Sequence, residues 1–279
     1  MPLATLKEVL DPALANGHAV AGLVVLGWED ARAYAMAAQA EGVPLILQAG
    51  PGCRAHTPLP VLAAMFRTLA ADVDVPLVAH LDHGYAADEC REAIETGFTA
   101  VMYDGSRKPL SQNIEETSAI VEMAREAGVC VEGEVGFVGY ADGGEVAAEA
   151  SARSDPDEVV QFVTMTGVDA VAVSVGNVHL QQSANAQIDR QAISDIEAKT
   201  HLPLVIHGGS GVPAPMRQAL ARETAVCKFN IGTELRMAFG KALRQSVKEQ
   251  PDVFDRNGLL KPIEKVLMEA ARPILRGLT

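Results

Sequence analysis

Strand-like apolar runs and amphipathic helical segments alternate eight times along the 279 residues, with one helix before the first strand and one after the last. Such alternation implies a parallel sheet. Eight repeats fit a closed (β/α)8 barrel, the TIM-barrel form of the α/β class. An open doubly wound sheet is the alternative, but it wants a Gly-x-Gly-x-x-Gly after its first strand, and the chain has none there. No linker interrupts the pattern. Residues 1–279 are therefore expected to form a single barrel domain, with an extra N-terminal helix and a C-terminal helical extension over 250–279.

Residues 6–15 have helical spacing and stop at Asn16-Gly17, a suitable C-cap. An apolar strand at 19–26 leads to an Ala-rich amphipathic helix at 29–41, and a strand at 43–48 leads to a Gly-Pro-Gly turn at 50–52. After a helix at 58–71, the apolar run 76–81 ends abruptly in Asp82, His83 and Gly84. A continuous apolar run of this length suits a strand covered on both faces. Helix 86–96, strand 99–103, helix 113–127 and strand 129–135 follow. Residues 136–155 then break the rhythm. They are Gly-rich, acidic and aperiodic, the character of a mobile active-site loop. Helix 156–166, strand 169–175, an irregular stretch over 176–189 and helix 191–199 come next. Strand 203–207, helix 213–222, strand 226–230 and helix 234–247 complete the eight units. The tail reads as helix over 259–275, with a break at Pro273.

Composition narrows the function. With 48% apolar and 21% charged residues the chain reads as a soluble globular protein, and a formal charge of −13 argues against nucleic acid or an anionic membrane as partner. Cys53, Cys90, Cys130 and Cys227 form no C-x-x-C pair, which points to reduced thiols and a cytoplasmic location. The N-terminus lacks the pattern of a signal peptide, and no apolar run approaches the length of a membrane span.

In a barrel the strands' C-terminal ends share one face, and active sites are built there. Those ends carry Asp82 and His83, Asp104, Glu132 and Glu134, Asn177 and His179, His207, and Asn230. Three imidazoles from separate strands, with an open coordination position, form a catalytic zinc site. His83, His179 and His207 are the candidate ligands. His80 lies on the same strand face as Asp82 and reads as a barrel-core residue. The stretches His207-Gly-Gly-Ser-Gly211 and Asn230-Ile-Gly-Thr233 follow the seventh and eighth strands, where barrels commonly bind phosphate on backbone N–H groups. Lys228, within the eighth strand, is either an inward core charge or a helper of the site.

The motifs His80-Leu-Asp-His-Gly84, Phe98-Thr-Ala-Val-Met-Tyr-Asp-Gly-Ser106, Val131-Glu-Gly-Glu134, Val175-Gly-Asn-Val-His179, His207-Gly-Gly-Ser-Gly211 and Lys228-Phe-Asn-Ile-Gly-Thr-Glu234 together resemble the class II, metal-dependent fructose-bisphosphate and tagatose-bisphosphate aldolases. The resemblance spans residues 19–236. It implies a homodimer or homotetramer with zinc, or alternatively another divalent metal, on His83, His179 and His207. It implies Asp82 as acid/base, with Asp104 and Glu134 orienting or alternatively binding the metal. Gly208, Gly209, Ser210, Asn230, Gly232 and Thr233 would contact substrate, as would Gln48 at the end of the second strand.

The chain also departs from the family's pattern. Leu23-Val24 stands where a Phe-Asn pair is usual, and Gly50 where a phosphate-binding Ser is usual. After His179 the family's Gly-x-Tyr-Lys is replaced by Leu180-Gln-Gln-Ser183, which leaves a monovalent cation open. The loop Glu that handles the carbon-bound proton has Asp142 and Glu145 as its nearest counterparts. A lost charge-assisted hydrogen bond weakens phosphate binding by about 1.5–3 kcal/mol. The expected reaction is thus reversible aldol cleavage of a ketose with one phosphate or none, giving a dihydroxyacetone or dihydroxyacetone phosphate unit and an aldehyde. Two competitors are a metal hydrolase on a similar barrel and a non-catalytic sugar-binding relative.

Overall fold

The computed structural model describes residues 2–142, 145–146 and 151–279. In chain order its elements begin with α1 (Leu6–Asn16), β1 (Val20–Val24), α2 (Trp28–Glu41), β2 (Leu45–Ala49), α3 (Pro51–Arg54), α4 (Leu59–Asp72), β3 (Leu77–Gly84), α5 (Ala87–Thr96), β4 (Ala100–Tyr103), α6 (Leu110–Glu126) and β5 (Cys130–Val135). Then come β6 (Ala141–Asp142), β7 (Glu145–Val146), α7 (Pro156–Thr166), β8 (Ala170–Val173), α8 (Arg190–Glu197), β9 (Leu204–Ile206), α9 (Ala214–Glu223), β10 (Val226–Ile231), α10 (Thr233–Glu249) and α11 (Arg256–Arg276). Eight parallel strands close into a barrel in the order β1-β2-β3-β4-β5-β8-β9-β10, as the alternation predicts.

Two apolar cores result from the two faces of each strand. One face packs Leu23, Leu47, Leu81, Val131, Val171 and Phe229 against the surrounding helices. The other closes the barrel's floor with Val20, Ile46, Val78, Ala100 and Val205, onto which α1 lays Leu6, Val9, Leu10 and Ala13. The N-terminal helix is therefore a plug for the barrel's lower end. Its start is fixed by a capping box in which Thr5 and Glu8 satisfy each other's backbone N–H groups.

The structure differs from the sequence-based expectation at four places that matter. The 50–52 turn continues into the short helix α3. Strand β3 does not stop at Leu81 but runs on through Gly84. Within the stretch 136–155, β6 and β7 form an antiparallel hairpin, pairing Asp142 with Glu145, and Phe137 bridges to Ala152. The helix α11 continues through Pro273 without a break. That proline lies in the last turn, where the single backbone bond it removes is offset by burial of Ile263, Leu267, Ala271, Ile274 and Leu275.

Candidate active site

In a regular strand Asp82 and His83 would point to opposite faces. The β3–β4 register shifts between Leu81 and Gly84, so that Asp82 and His83 together oppose Met102. This bulge, with His83 in the left-handed region at φ 52°, turns both side chains to the barrel's mouth. The bulge is braced from behind. Arg54, on α3, donates to the carbonyls of Ala49 and Asp82 at 2.7 Å each and of His83 at 2.9 Å. Gly84 then lets the chain pass close to β4, since a Cβ there would lie 2.9 Å from the Met102 carbonyl oxygen.

The three histidines expected to act together do converge. Ring centroids are 5.0 Å apart for His83 and His179, 4.6 Å for His83 and His207, and 5.5 Å for His179 and His207. They can offer ligand nitrogens all within 4.8 Å of one another, and His83, Asp104 and Glu134 form a second such group. Each is held by its surroundings. His83 Nδ1 donates to Asp104 Oδ2 at 2.8 Å, and Asp104 Oδ1 accepts from the backbone N–H and hydroxyl of Ser106. His207 Nε2 donates to Glu132 Oε1 at 3.0 Å. His179 is clasped through its backbone, donating to the Gly139 carbonyl and accepting from Ala141 N–H, while the Tyr140 ring stacks on it at 4.7 Å.

The remaining nitrogens of two rings are orphans. His83 Nε2 and His207 Nδ1 are buried without a hydrogen-bond partner, as is Glu134 Oε2, which lies 3.3 Å from His207 Nδ1. Buried polar groups left this way call for an explanation. Imidazoles with one nitrogen on a carboxylate and the other free have the donor set of a metal site. The residues present thus fit a divalent cation.

Electrostatics agree with that fit. Burial pushes the His83 imidazole down, but Asp82, Asp104 and Glu134 outweigh it and lift it to about 9. Burial, then the neighbouring His83, push His207 and His179 well below their usual range. Burial raises Asp104, yet its bond to His83 and those from Ser106 hold its carboxyl well below the usual carboxylate range. Burial drives Glu134 well above it, with Asp104 adding to the effect. Carboxyl groups crowded together with buried imidazoles in this way are relieved by a bound cation.

Beneath the histidines lies a charged layer whose grouping the sequence did not reveal. Lys228 is fully buried and donates to Glu132 Oε2 at 2.5 Å, with His80 Nε2 3.2 Å away. Glu132 therefore joins Lys228 to His207. A signal was available: Glu132 and Lys228 each lie two residues from another rim residue, Glu134 and Asn230, so both face inward.

Asp82 Oδ1 accepts from Gln48 Nε2 at 3.0 Å and from Asn230 Nδ2 at 3.1 Å. Gln48, expected to contact substrate, is instead fully buried behind Asp82 and is not part of the cavity wall. Gly209 is likewise outside the wall, packed under the Asn230 carbonyl. The cavity, about 320 Å³, is lined by Asp82, His83, Tyr140 and His179, and further out by Gly208, Ser210, Asn230, Gly232 and Thr233. Gly208 has φ 64°, and a Cβ there would sit 2.1 Å from the Val178 carbonyl oxygen, so this turn admits only glycine. Ser210 Oγ accepts from Glu234 N–H, and Arg217 ties Glu234 to the Gly209 carbonyl, locking the two loops together. Asn177 holds the third approach by donating to the His207 carbonyl. Asp142 and Glu145 lie on the hairpin, but their side chains fall outside the described residues.

A closed barrel whose polar groups gather at the strands' C-terminal ends is the architecture of a barrel enzyme, and its half-satisfied imidazoles are a donor set that could hold a metal ion. The family model for class II fructose-bisphosphate aldolase matches residues 4–278, and the chain belongs to that family. It is accordingly an aldolase, a carbon–carbon lyase of sugar metabolism. A fructose-bisphosphate aldolase of Staphylococcus epidermidis is 36% identical over 280 residues, covering 99% of this chain and 97% of that one. A probable fructose-bisphosphate aldolase of Bacillus subtilis is 35% identical over 273 residues, covering 96% and 95%. The crystal structure of the YdjI aldolase from Escherichia coli K12 aligns over 99% of this chain and 97% of its own, with TM-score 0.83 and 26% identity. Among the described residues no helix is long and apolar enough to cross a membrane.

Proposed function

We propose that this aldolase uses zinc, with another divalent metal as the alternative, to cleave a ketose carrying one phosphate or none. The products are a dihydroxyacetone or dihydroxyacetone phosphate unit and an aldehyde, and the reaction is reversible. His83, His179 and His207 would hold the metal, with Asp104 and Glu134 orienting the rings or taking a ligand position. Bound there, a divalent cation supplies Lewis-acid polarisation of the ketone. The observation that carries this reading is the pair of orphaned ring nitrogens, on His83 and His207, whose opposite nitrogens are fixed by carboxylates.

Asp82 takes the proton of the β-hydroxyl as the carbon–carbon bond breaks and returns it in condensation. Gln48 and Asn230 hold its Oδ1, which leaves Oδ2 for the substrate. Asp142 or Glu145 delivers a proton to the carbon released by cleavage, with closure of the 136–155 segment excluding water. Backbone N–H groups of Gly208, Ser210, Gly232 and Thr233 receive the phosphate where the ketose carries one. The same reading has the protein in the cytoplasm, as a homodimer or homotetramer.

Chelation tests it. A panel of free and phosphorylated ketoses is assayed for released aldehyde before and after treatment with a strong chelator. Cleavage should vanish and return with zinc; cleavage indifferent to the chelator would sink the mechanism, and no cleavage of any ketose would favour a non-catalytic relative.

A further inference from the structure

We infer that Arg236 is the cation that binds substrate phosphate in this chain. The inference rests on the aldolase reading and extends it to a residue on α10. Among the described residues, the wall of the catalytic cavity carries one side chain with a fixed positive charge, Arg236, and one carboxylate, Asp82. The positions where the resemblance places a lysine and a serine for phosphate hold Ser183 and Gly50. A doubly charged phosphate on backbone N–H groups alone would lack a counter-charge, in a protein of formal charge −13.

The placement of Arg236 answers that need. It lies one turn into α10, whose N-terminus is formed by Gly232 and Thr233. A Cβ on Gly232 would sit 3.7 Å from Arg236 Nε and 3.0 Å from Val24 Cγ2. The arginine thus folds back over Gly232, beside the apolar Val24. Among the described residues its guanidinium has no carboxylate within ion-pairing distance, unlike Arg54, Arg217 and Arg272. Asp30 shares a neighbouring cavity with Arg236 and feels its charge, but short of an ion pair, and its Oδ2 accepts from the backbone N–H groups of Leu26 and Gly27.

Arg236 also lines a neighbouring cavity of about 350 Å³ with Tyr34, Phe239 and Arg256. Phosphate on the ketone half and phosphate on the aldehyde half share one chemistry; under the proposed function the phosphate received at Gly232 belongs to the dihydroxyacetone phosphate unit, which assigns Arg236 to the ketone half. Condensation kinetics separate the two. With one aldehyde, the preference for dihydroxyacetone phosphate over dihydroxyacetone, as a ratio of kcat/KM values, should fall about 10–100-fold in Arg236→Ala, with partial recovery in Arg236→Lys. An unchanged ratio overturns the inference. So does a loss that follows phosphate on the aldehyde instead. Inorganic phosphate binding to the whole protein, measured by calorimetry, separates this inference from the aldolase reading. If the wild-type chain proves inactive, affinity lost in Arg236→Ala still upholds the phosphate site, and equal affinity in both proteins overturns it.

Discussion

Around His83, His207 and Glu132 every reactive side chain is gripped by another, whereas the wall formed by Val24, Gly50 and Leu180 carries no polar side chain at all. The first region is built on strands. Its carboxylates and imidazoles sit in a rigid barrel, and His83, His207 and Lys228 are each tied to a carboxylate. The second lies at the end of β1, at the turn into α3 and on the stretch after His179, where a side chain can be exchanged without disturbing the layer beneath. The contrast teaches that the chemistry of the strand ends can persist while the surface meeting the substrate is rewritten. Leu180 illustrates it. It follows His179 with φ 58°, the conformation a glycine takes, although a leucine occupies the position.

The strongest way to break the gripped region is to remove charge from its base. Glu132→Gln leaves the Lys228 ammonium buried and unanswered. It should cost about 3–5 kcal/mol in denaturant unfolding and weaken zinc binding about 10–100-fold. Unaltered stability and affinity would show that the layer plays no supporting part. Arg54→Ala strips the carbonyls of the bulge at Asp82 and His83 of their donors. A loss of about 3 kcal/mol is expected, with Arg54→Lys failing to restore it because one ammonium cannot bridge three carbonyls on two strands.

The pH dependence sharpens the comparison further. The His83 imidazole is raised from its ordinary 6.5 to about 9. Protonation therefore stabilises the metal-free fold in full below pH 6.5, by up to about 3 kcal/mol, and that contribution disappears as pH rises through 9. Zinc competes for the same ring, so its affinity should climb over that window while metal-free stability falls. Thermal melts and zinc titrations from pH 6 to 10 check both signs, and parallel trends would contradict the assignment. The smallest effect is expected on the loop side. Leu180→Gly relieves a left-handed leucine and should raise stability by about 1 kcal/mol, read as a higher melting temperature.

Much of this was legible in the sequence, for reasons that are themselves physical. The alternation of strand and helix fixes which ends of the strands share a face, so His83, His179 and His207 could be brought together before any coordinates. The bulge could not, because it depends on a register shift against β4 that leaves no mark in the run Leu81-Asp-His-Gly84. The pairing of Lys228 with Glu132 was hidden differently. Parity shows that both face inward, but which inward residues meet across the barrel depends on stagger between strands far apart in sequence. Gln48 was misplaced for the same reason: its height in the barrel sets it behind Asp82, beside Gly22, where a Cβ would lie 2.2 Å from its Oε1.

The central claim is that Asp82 moves the proton while the histidines hold the metal, and Asp82→Ala tests it most directly when zinc content and turnover are measured on the same preparation. The account predicts one zinc per chain bound as in the wild type, with turnover down about 10²–10⁴-fold. Zinc lost along with activity, or activity kept, would contradict it.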